Sequence, residues 1–353
     1  MKILYIFSSP RNAEQDLIRE KKIPTDRLYM AVELRKLGHQ VDIDGDRYKG
    51  VFGAAARMLR KYLHINAIGL KTLLKCREYD VVVLKDEFCT LVTLACRLWG
   101  VKLVNLDSLG IDEFPKTLHR RLEHRANLLL ADSVITYSKS QAGIWSRQYN
   151  VSPEKFVYIP YSIDVAFYDR YFSLKEAAEG KGSYILSVGC DAGRDFPTLV
   201  KATEDLGVRL KLVSVPARVT NQIRSHNGVE YFNNLPYEDL FDLYANARCV
   251  VIPIRSRVVY PCGVRGLLEA MALGKAVIVS RTPILEEYLS DGENALVVEP
   301  EDSRLLCEKI RMLYEDMKLR QKLGSNARKS VSENFDIRTV SQKFAYCLET
   351  LRQ

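Results

Sequence analysis

The chain has 353 residues, 47% of them hydrophobic and 27% charged, with a formal net charge of +8. That length exceeds one ordinary core and predicts two α/β-sized domains in a globular protein. No apolar run approaches the roughly 20 residues that span a bilayer, and the eight cysteines show neither a CxxC pair nor Cys/His zinc spacing, which argues for reduced, cytosolic thiols.

The charge is unevenly placed. Residues 1–170 carry 27 basic and 20 acidic side chains, and between Asp46 and Glu78 there is no acid at all. A basic front half implies polyanions, anionic lipid surfaces or phosphorylated substrates as partners.

The opening MKILYIF reads as a buried first strand rather than a signal peptide, because polar residues follow it at once. A helix is expected from about Asp26 to Leu37, stopped by Gly38, with a second strand at Val41. Strand, helix, glycine, strand is the βαβ unit of a parallel sheet, though no GxGxxG follows the first strand. Asp42, Asp44 and Asp46 mimic the start of a calcium loop. Arg47 and Gly53 then stand where that loop needs Gly and Glu, so a solvated strand end is the better reading. Residues 51–76 have helical apolar spacing with Arg57, Arg60 and Lys61 opposite. They read either as a packed helix with a solvated basic face or as a helix at a membrane surface. Further strands are predicted at 79–84, 102–105, 132–136 and 156–159, with helices at 88–98, 115–131 and 140–149.

Residues 166–182 are the least patterned and are expected to link the domains. The alternation then restarts, with strands at 184–188, 210–215 and 250–254 and helices at 196–206 and 238–247. Next comes YPCGVRGLLEAMALGKAVIVS, with a glycine turn at Gly263, a short apolar helix, Gly274 at its C-terminus and a buried-looking strand. Glu269 is the misfit, one carboxylate in an apolar helix. Free N–H groups of Gly263, Val264 and Arg265 at that helix tip would favour a phosphate. Glu269, one or two turns in, could then accept two O–H bonds from a ribose. A Glu paired to a neighbouring Arg on an exposed edge is the competing reading.

Several separated segments resemble the retaining glycosyl transferases group 1 family. They are Ala131-Asp132-Ser133-Val134-Ile135 with Ser138, Ile159–Asp164, Val188-Gly189 followed by Arg194-Asp195-Phe196, Leu235-Pro236 with Val250–Pro253, and Leu267–Lys275. The resemblance implies a GT-B fold: two Rossmann-like, doubly wound α/β domains facing a central cleft. The implied divisions are an acceptor domain at 1–165, the linker, a nucleotide-sugar domain at 183–335, and a last helix at 336–353 returning to the first domain. It implies that Glu269 binds the donor ribose, that the Gly263 turn holds the diphosphate, that Arg194 neutralises it, and that Leu235 brings main chain to the base. The family's E-x7-E pair is incomplete, since Pro261 replaces the first Glu. Cys190 stands where the family has Arg, so Arg255, Arg257 or Arg265 are candidate substitutes. Asn105-Leu106-Asp107-Ser108 replaces a usual His, making Asp107 the candidate for sugar or acceptor contact.

The implied function is transfer of a sugar from a nucleoside-diphosphate sugar to a glycan or lipid-linked acceptor. It carries retention of configuration, no required metal or cofactor, no nucleic acid, and a cytoplasmic or peripheral membrane location with an anionic membrane surface as partner. Another GT-B enzyme, such as a nucleotide-sugar epimerase, and a non-catalytic binding subunit are the alternatives.

Overall fold

A computed structural model describes residues 1–45, 58, 70–85, 89–107, 117–175 and 183–352. Arg57, Arg60 and Lys61, with most of the expected helix at 51–76, lie outside the described residues; the part described, Leu70–Glu78, is a 3-10 helix.

The chain forms two compact units, Met1–Pro160 together with Ile337–Gln353, and Tyr161–Asp336. In the first, β1 (Lys2–Ile6), β2 (Gln40–Asp44), β3 (Val81–Lys85), β4 (Lys102–Leu106), β5 (Ser133–Thr136) and β6 (Phe156–Tyr158) make one parallel sheet in the order β2-β1-β3-β4-β5-β6. Helices α1 (Asn12–Arg19), α2 (Ala31–Lys36), α3 (Thr90–Trp99), α4 (Leu118–Leu130) and α5 (Lys139–Tyr149) connect the strands. Strands buried on both faces need continuous apolar runs, and VVVLK in β3 is buried at every position, Lys85 included.

The second unit opens with α6 (Val165–Lys175) and continues with β7 (Tyr184–Val188), α7 (Phe196–Glu204), β8 (Arg209–Val213), the short helix α8 (Asn221–Arg224) and β9 (Val229–Phe232). Helix α9 (Tyr237–Asn246), β10 (Cys249–Ile252), α10 (Val264–Ala272), β11 (Val277–Ser280) and β12 (Leu296–Val298) follow, then α11 (Ser303–Glu315) and α12 (Met317–Asn334). Its parallel sheet runs β12-β11-β10-β7-β8-β9. Strand order therefore reverses between β7 and β10, and ligands of doubly wound sheets bind at such a switch point. The last helix, α13 (Ile337–Arg352), belongs to the first unit and packs on α2.

Two expectations need correction. Residues 166–175 of the presumed linker are part of a helix of the second unit, because Phe167 and Tyr168 are buried and stack edge-on with Tyr237 and Phe241 of α9 respectively. The helix expected from Asp26 breaks at Tyr29 and Met30, both left-handed (φ 46° and 63°), so that only α2 continues. After Asp302 two helices follow in succession, the second capped by Asp316 through a bond from the Leu319 N–H.

Helix α10 is buried at every position but Arg265, and α12 packs across it. Gly324 makes that approach possible: a Cβ there would fall against the Gly274 carbonyl oxygen. Gly324→Ala should therefore destabilise the protein by about 1–3 kcal/mol. By contrast Gly143→Ala in α5, where an added Cβ meets only Arg147 Nη1 at 3.6 Å, should stabilise by about 0.5–1 kcal/mol through helix propensity. Urea unfolding of the two variants checks the opposite signs.

Candidate functional site

Two loops meet at the switch point of the second sheet. The segment after β7, Gly189–Arg194, is stitched to the segment after β10 by Arg255 N–H donating to Gly193 O (2.8 Å) and Asp195 N–H to Pro253 O (3.1 Å). Gly193 has to be a glycine: a Cβ would sit 2.8 Å from both Tyr260 Oη and Val258 Cγ2. Gly263, left-handed at φ 80°, turns the chain into α10 and stands on Ile252.

Arg194 lies beneath this turn. Its side chain is 1% exposed, its Nη2 donates to Val188 O at 2.8 Å, and its guanidinium fills the space that side chains at Gly189 and Gly266 would need. Arg194 Nε and Nη1 are buried and have no hydrogen-bond acceptor. Asp191 lies 3.5 Å from Nε, and its Oδ2 also accepts the Gly263 N–H at 3.1 Å. A carboxylate thus occupies the positive end of α10, where the dipole and a buried cation favour negative charge. The expectation of free N–H groups at this tip is corrected for Gly263, whose N–H is bound by Asp191. Sequence reading passed over Asp191; its signal was an acid between Gly189 and Arg194 at a proposed phosphate seat.

Glu269 sits one turn further in and is 5% exposed. Oε1 accepts from Tyr168 Oη at 3.2 Å and Oε2 from Tyr244 Oη at 3.4 Å. Arg265 Nη1 lies 3.5 Å from Oε1, while its Nε donates to Tyr161 Oη at 3.0 Å. The paired Arg is real, but the edge is not exposed. Tyr244 is fully enclosed, and that burial, reinforced by Glu269, raises its pKa well above the usual phenol value. Two phenol hydroxyls hold part of a carboxylate's capacity of about four acceptor sites. Val264 contributes a buried side chain, and Leu235 is half-buried in the turn before α9. Arg255 and Arg257 are exposed, flanking Glu301, whose carboxylate accepts both Ser256 N–H (3.0 Å) and Ser256 Oγ–H (2.8 Å) and is thereby held below its ordinary pKa.

Asp107 belongs to the first unit, at the C-terminal end of β4. It is 4% exposed and left-handed at φ 47°. Its Oδ1 accepts from Gln141 Nε2 at 2.7 Å, and Lys85 Nζ is 4.0 Å from Oδ2. Lys85 in turn lies 4.6 Å from the ring centre of Tyr29. Non-glycine residues with positive φ are costly and gather at functional sites; Tyr29, bracketing the same ammonium, is a second one. Lys85 and Gln141 were not singled out from sequence, and a lysine ending an apolar strand was the available signal.

The donor and acceptor candidates thus fall in two places. Arg194, Gly263, Val264, Arg265 and Glu269 converge on α10, whereas Leu235, Arg255 and Arg257 line separate turns and Asp107 stands in the other unit. Among the described residues no group of three or more His, Cys, Asp or Glu is placed to hold a metal, and no helix is long and apolar enough to cross a membrane.

Residues 216–330 match the family described as glycosyl transferases group 1. A stretch of 106 residues is 32% identical to N,N'-diacetylbacillosaminyl-diphospho-undecaprenol alpha-1,3-N-acetylgalactosaminyltransferase of Campylobacter jejuni, covering 30% of this chain and 27% of that protein. The chain therefore spans about a quarter of that relative's length. Solved structures resemble it over nearly the whole chain. Anabaena HepE in complex with UDP and glucose has a TM-score of 0.71 at 18% identity, covering 99% of both chains. Sucrose-phosphate synthase of Thermosynechococcus elongatus has 0.74 at 19%, covering 99% of this chain and 98% of that one. At such identities the likeness is one of fold. The chain thus has the fold of the GT-B glycosyltransferases, and within it residues 216–330 match the glycosyl transferases group 1 family.

Proposed function

We propose that the chain transfers a sugar from a nucleoside-diphosphate sugar to an acceptor hydroxyl, the second unit holding the donor and the first the acceptor. The observation that carries the donor half is Arg194, a buried guanidinium with two N–H-bearing atoms unsatisfied beneath a helix tip. A buried cation without full pairing is costly, so a phosphate that reaches it recovers free energy. The diphosphate displaces the Asp191 carboxylate and takes its place against Gly263 N–H and Arg194. Glu269 receives the ribose hydroxyls, and main chain near Leu235 receives the base.

The bond between the sugar's C1 and the phosphate oxygen breaks, and its electron pair stays on the diphosphate. Arg194 and the α10 dipole stabilise that charge where it develops. The acceptor oxygen bonds to C1 and its proton passes to a phosphate oxygen of the leaving group. Entry on the face from which the diphosphate departs retains configuration; this stereochemistry rests on the group 1 resemblance. Asp107, supported by Lys85 and Gln141, contacts the sugar or the acceptor. The Campylobacter relative's name places its sugar on a diphospho-undecaprenol carrier. With the basic front half of this chain, that supports a lipid-linked acceptor presented at an anionic membrane surface.

Nucleoside diphosphates or their sugars should raise the melting temperature of the wild type, because they bind only the native state, and Arg194→Met should abolish the shift. If UDP, GDP and ADP all leave the wild type unmoved, the donor site is misassigned. Asp191→Asn, which removes a competing and repelling charge, should tighten nucleoside diphosphate binding by about tenfold on the Coulomb estimate for a screened pair. Unchanged or weaker binding by calorimetry would instead make Asp191 part of the ligand's support. Since Arg194 and N–H donors neutralise the leaving group in this reading, transfer should persist after EDTA treatment, and loss of turnover restored by a divalent cation would refute that assignment.

A further inference from the structure

Helix α4 buries Asn127 and Leu128 and leaves three other leucines outside. At 3.6 residues per turn, Leu118, Leu122, Arg125 and Leu129 fall within roughly 60° of one another, and all four are exposed. Asn127, on the opposite side, is fully buried. Its Oδ1 accepts from Thr93 Oγ1 at 2.7 Å and its Nδ2 donates to Thr90 Oγ1 at 3.1 Å, so α3 and α4 join through a polar seam. A helix on a globular core normally turns its leucines inward. Here a hydrogen-bonded amide is inside beside Leu128, and a leucine stripe faces out.

The neighbouring elements extend the pattern. On α3, which packs against α4, Leu98 is 83% exposed, with Leu94 and Trp99 also open. Leu74, on the 3-10 helix that also packs against α3, is 70% exposed. Among the described residues of the second unit, only Met312 and Met317 are large apolar side chains of comparable exposure. Scattered apolar surface is ordinary, but a concentration on adjacent elements marks an interaction surface.

The charges select the partner. Lys75, Arg77, Arg97, Arg120, Arg121 and Arg125 are exposed on these same elements. The acids there are Glu78 and Glu123, and Glu123 accepts a bond from Thr90 Oγ1 at 3.1 Å. A second copy of this chain would bring the same cations against these and be repelled. Leucines beside arginines, with a tryptophan at the margin, suit a bilayer: apolar side chains enter the acyl boundary while arginines reach anionic headgroups.

We propose that the outward face of α3 and α4, with Leu74, docks on an anionic lipid bilayer. The proposal deepens the reading above, in which the acceptor is lipid-linked, and assigns the contact to described residues other than Arg57, Arg60 and Lys61. The experiment is co-sedimentation of the full chain with vesicles of phosphatidylcholine alone or mixed with phosphatidylglycerol. The wild type should pellet with the mixed vesicles only. Leu98→Ser with Leu122→Ser should lower the partition coefficient about tenfold or more. Arg121→Gln with Arg125→Gln should lower it less and flatten its dependence on salt. Wild type remaining in the supernatant, or the double serine variant binding as well as wild type, would overturn the proposal. So would a wild-type dimer that the serine variant converts to monomer while vesicle binding is unchanged. The nucleoside diphosphate melting shift is measured on the same preparations. Its retention in the serine variant shows that the fold is kept, and its absence in the wild type would sink the donor site while leaving membrane docking standing.

Discussion

A buried guanidinium governs the second unit. Arg194 is excluded from water, satisfied by one carbonyl, and confined by glycines on two sides. Removing such a cation from water is expensive, and nearby negative charge offsets the cost. The chain itself supplies that charge, through Asp191 at the tip of α10. The glycines at 189 and 266 follow from the same requirement, since a Cβ at either would crowd the Arg194 guanidinium. The cation is therefore the constraint, and the glycine pattern is its trace in the sequence.

Glu269 answers to a second constraint. A carboxylate in a wholly buried helix must be hydrogen-bonded, and here Tyr168 and Tyr244 provide the donors from α6 and α9. The glutamate therefore also pins three helices together at one point. Its helix, the glycine turn before it and Gly274 after it were legible from sequence, because capping and apolar spacing are local signals. Its partners were not. Tyr168 comes from a segment that has no strong amphipathic pattern, and its role appears only once α6 lies beside α9.

The parallel strands were read easily where both faces are buried. The two missed in sequence, β9 and β12, are the edges of the second sheet. VEYF is half-exposed and LVV has three residues, so neither gives a long apolar run. The break at Tyr29–Met30 was equally hidden. Helix propensity carries straight through it, and what stops the helix is tertiary: the Tyr5 hydroxyl binds Tyr29 O at 3.1 Å and the Lys85 ammonium lies over the Tyr29 ring. Helix α4 was legible as a helix, but not that Asn127 and Leu128 would be its buried positions.

The first unit is assembled from two lengths of chain, Met1–Pro160 and Ile337–Gln353, whereas the second is continuous. Val340, Phe344 and Leu348 of α13 are fully buried in that first unit. During synthesis, then, the part made first must wait. Its apolar surface beside α2 stays uncovered until α13 has left the ribosome, while Tyr161–Asp336 can close as soon as its own residues emerge. The usual N-terminal-first order of domain folding is inverted by where one sixteen-residue helix comes to rest.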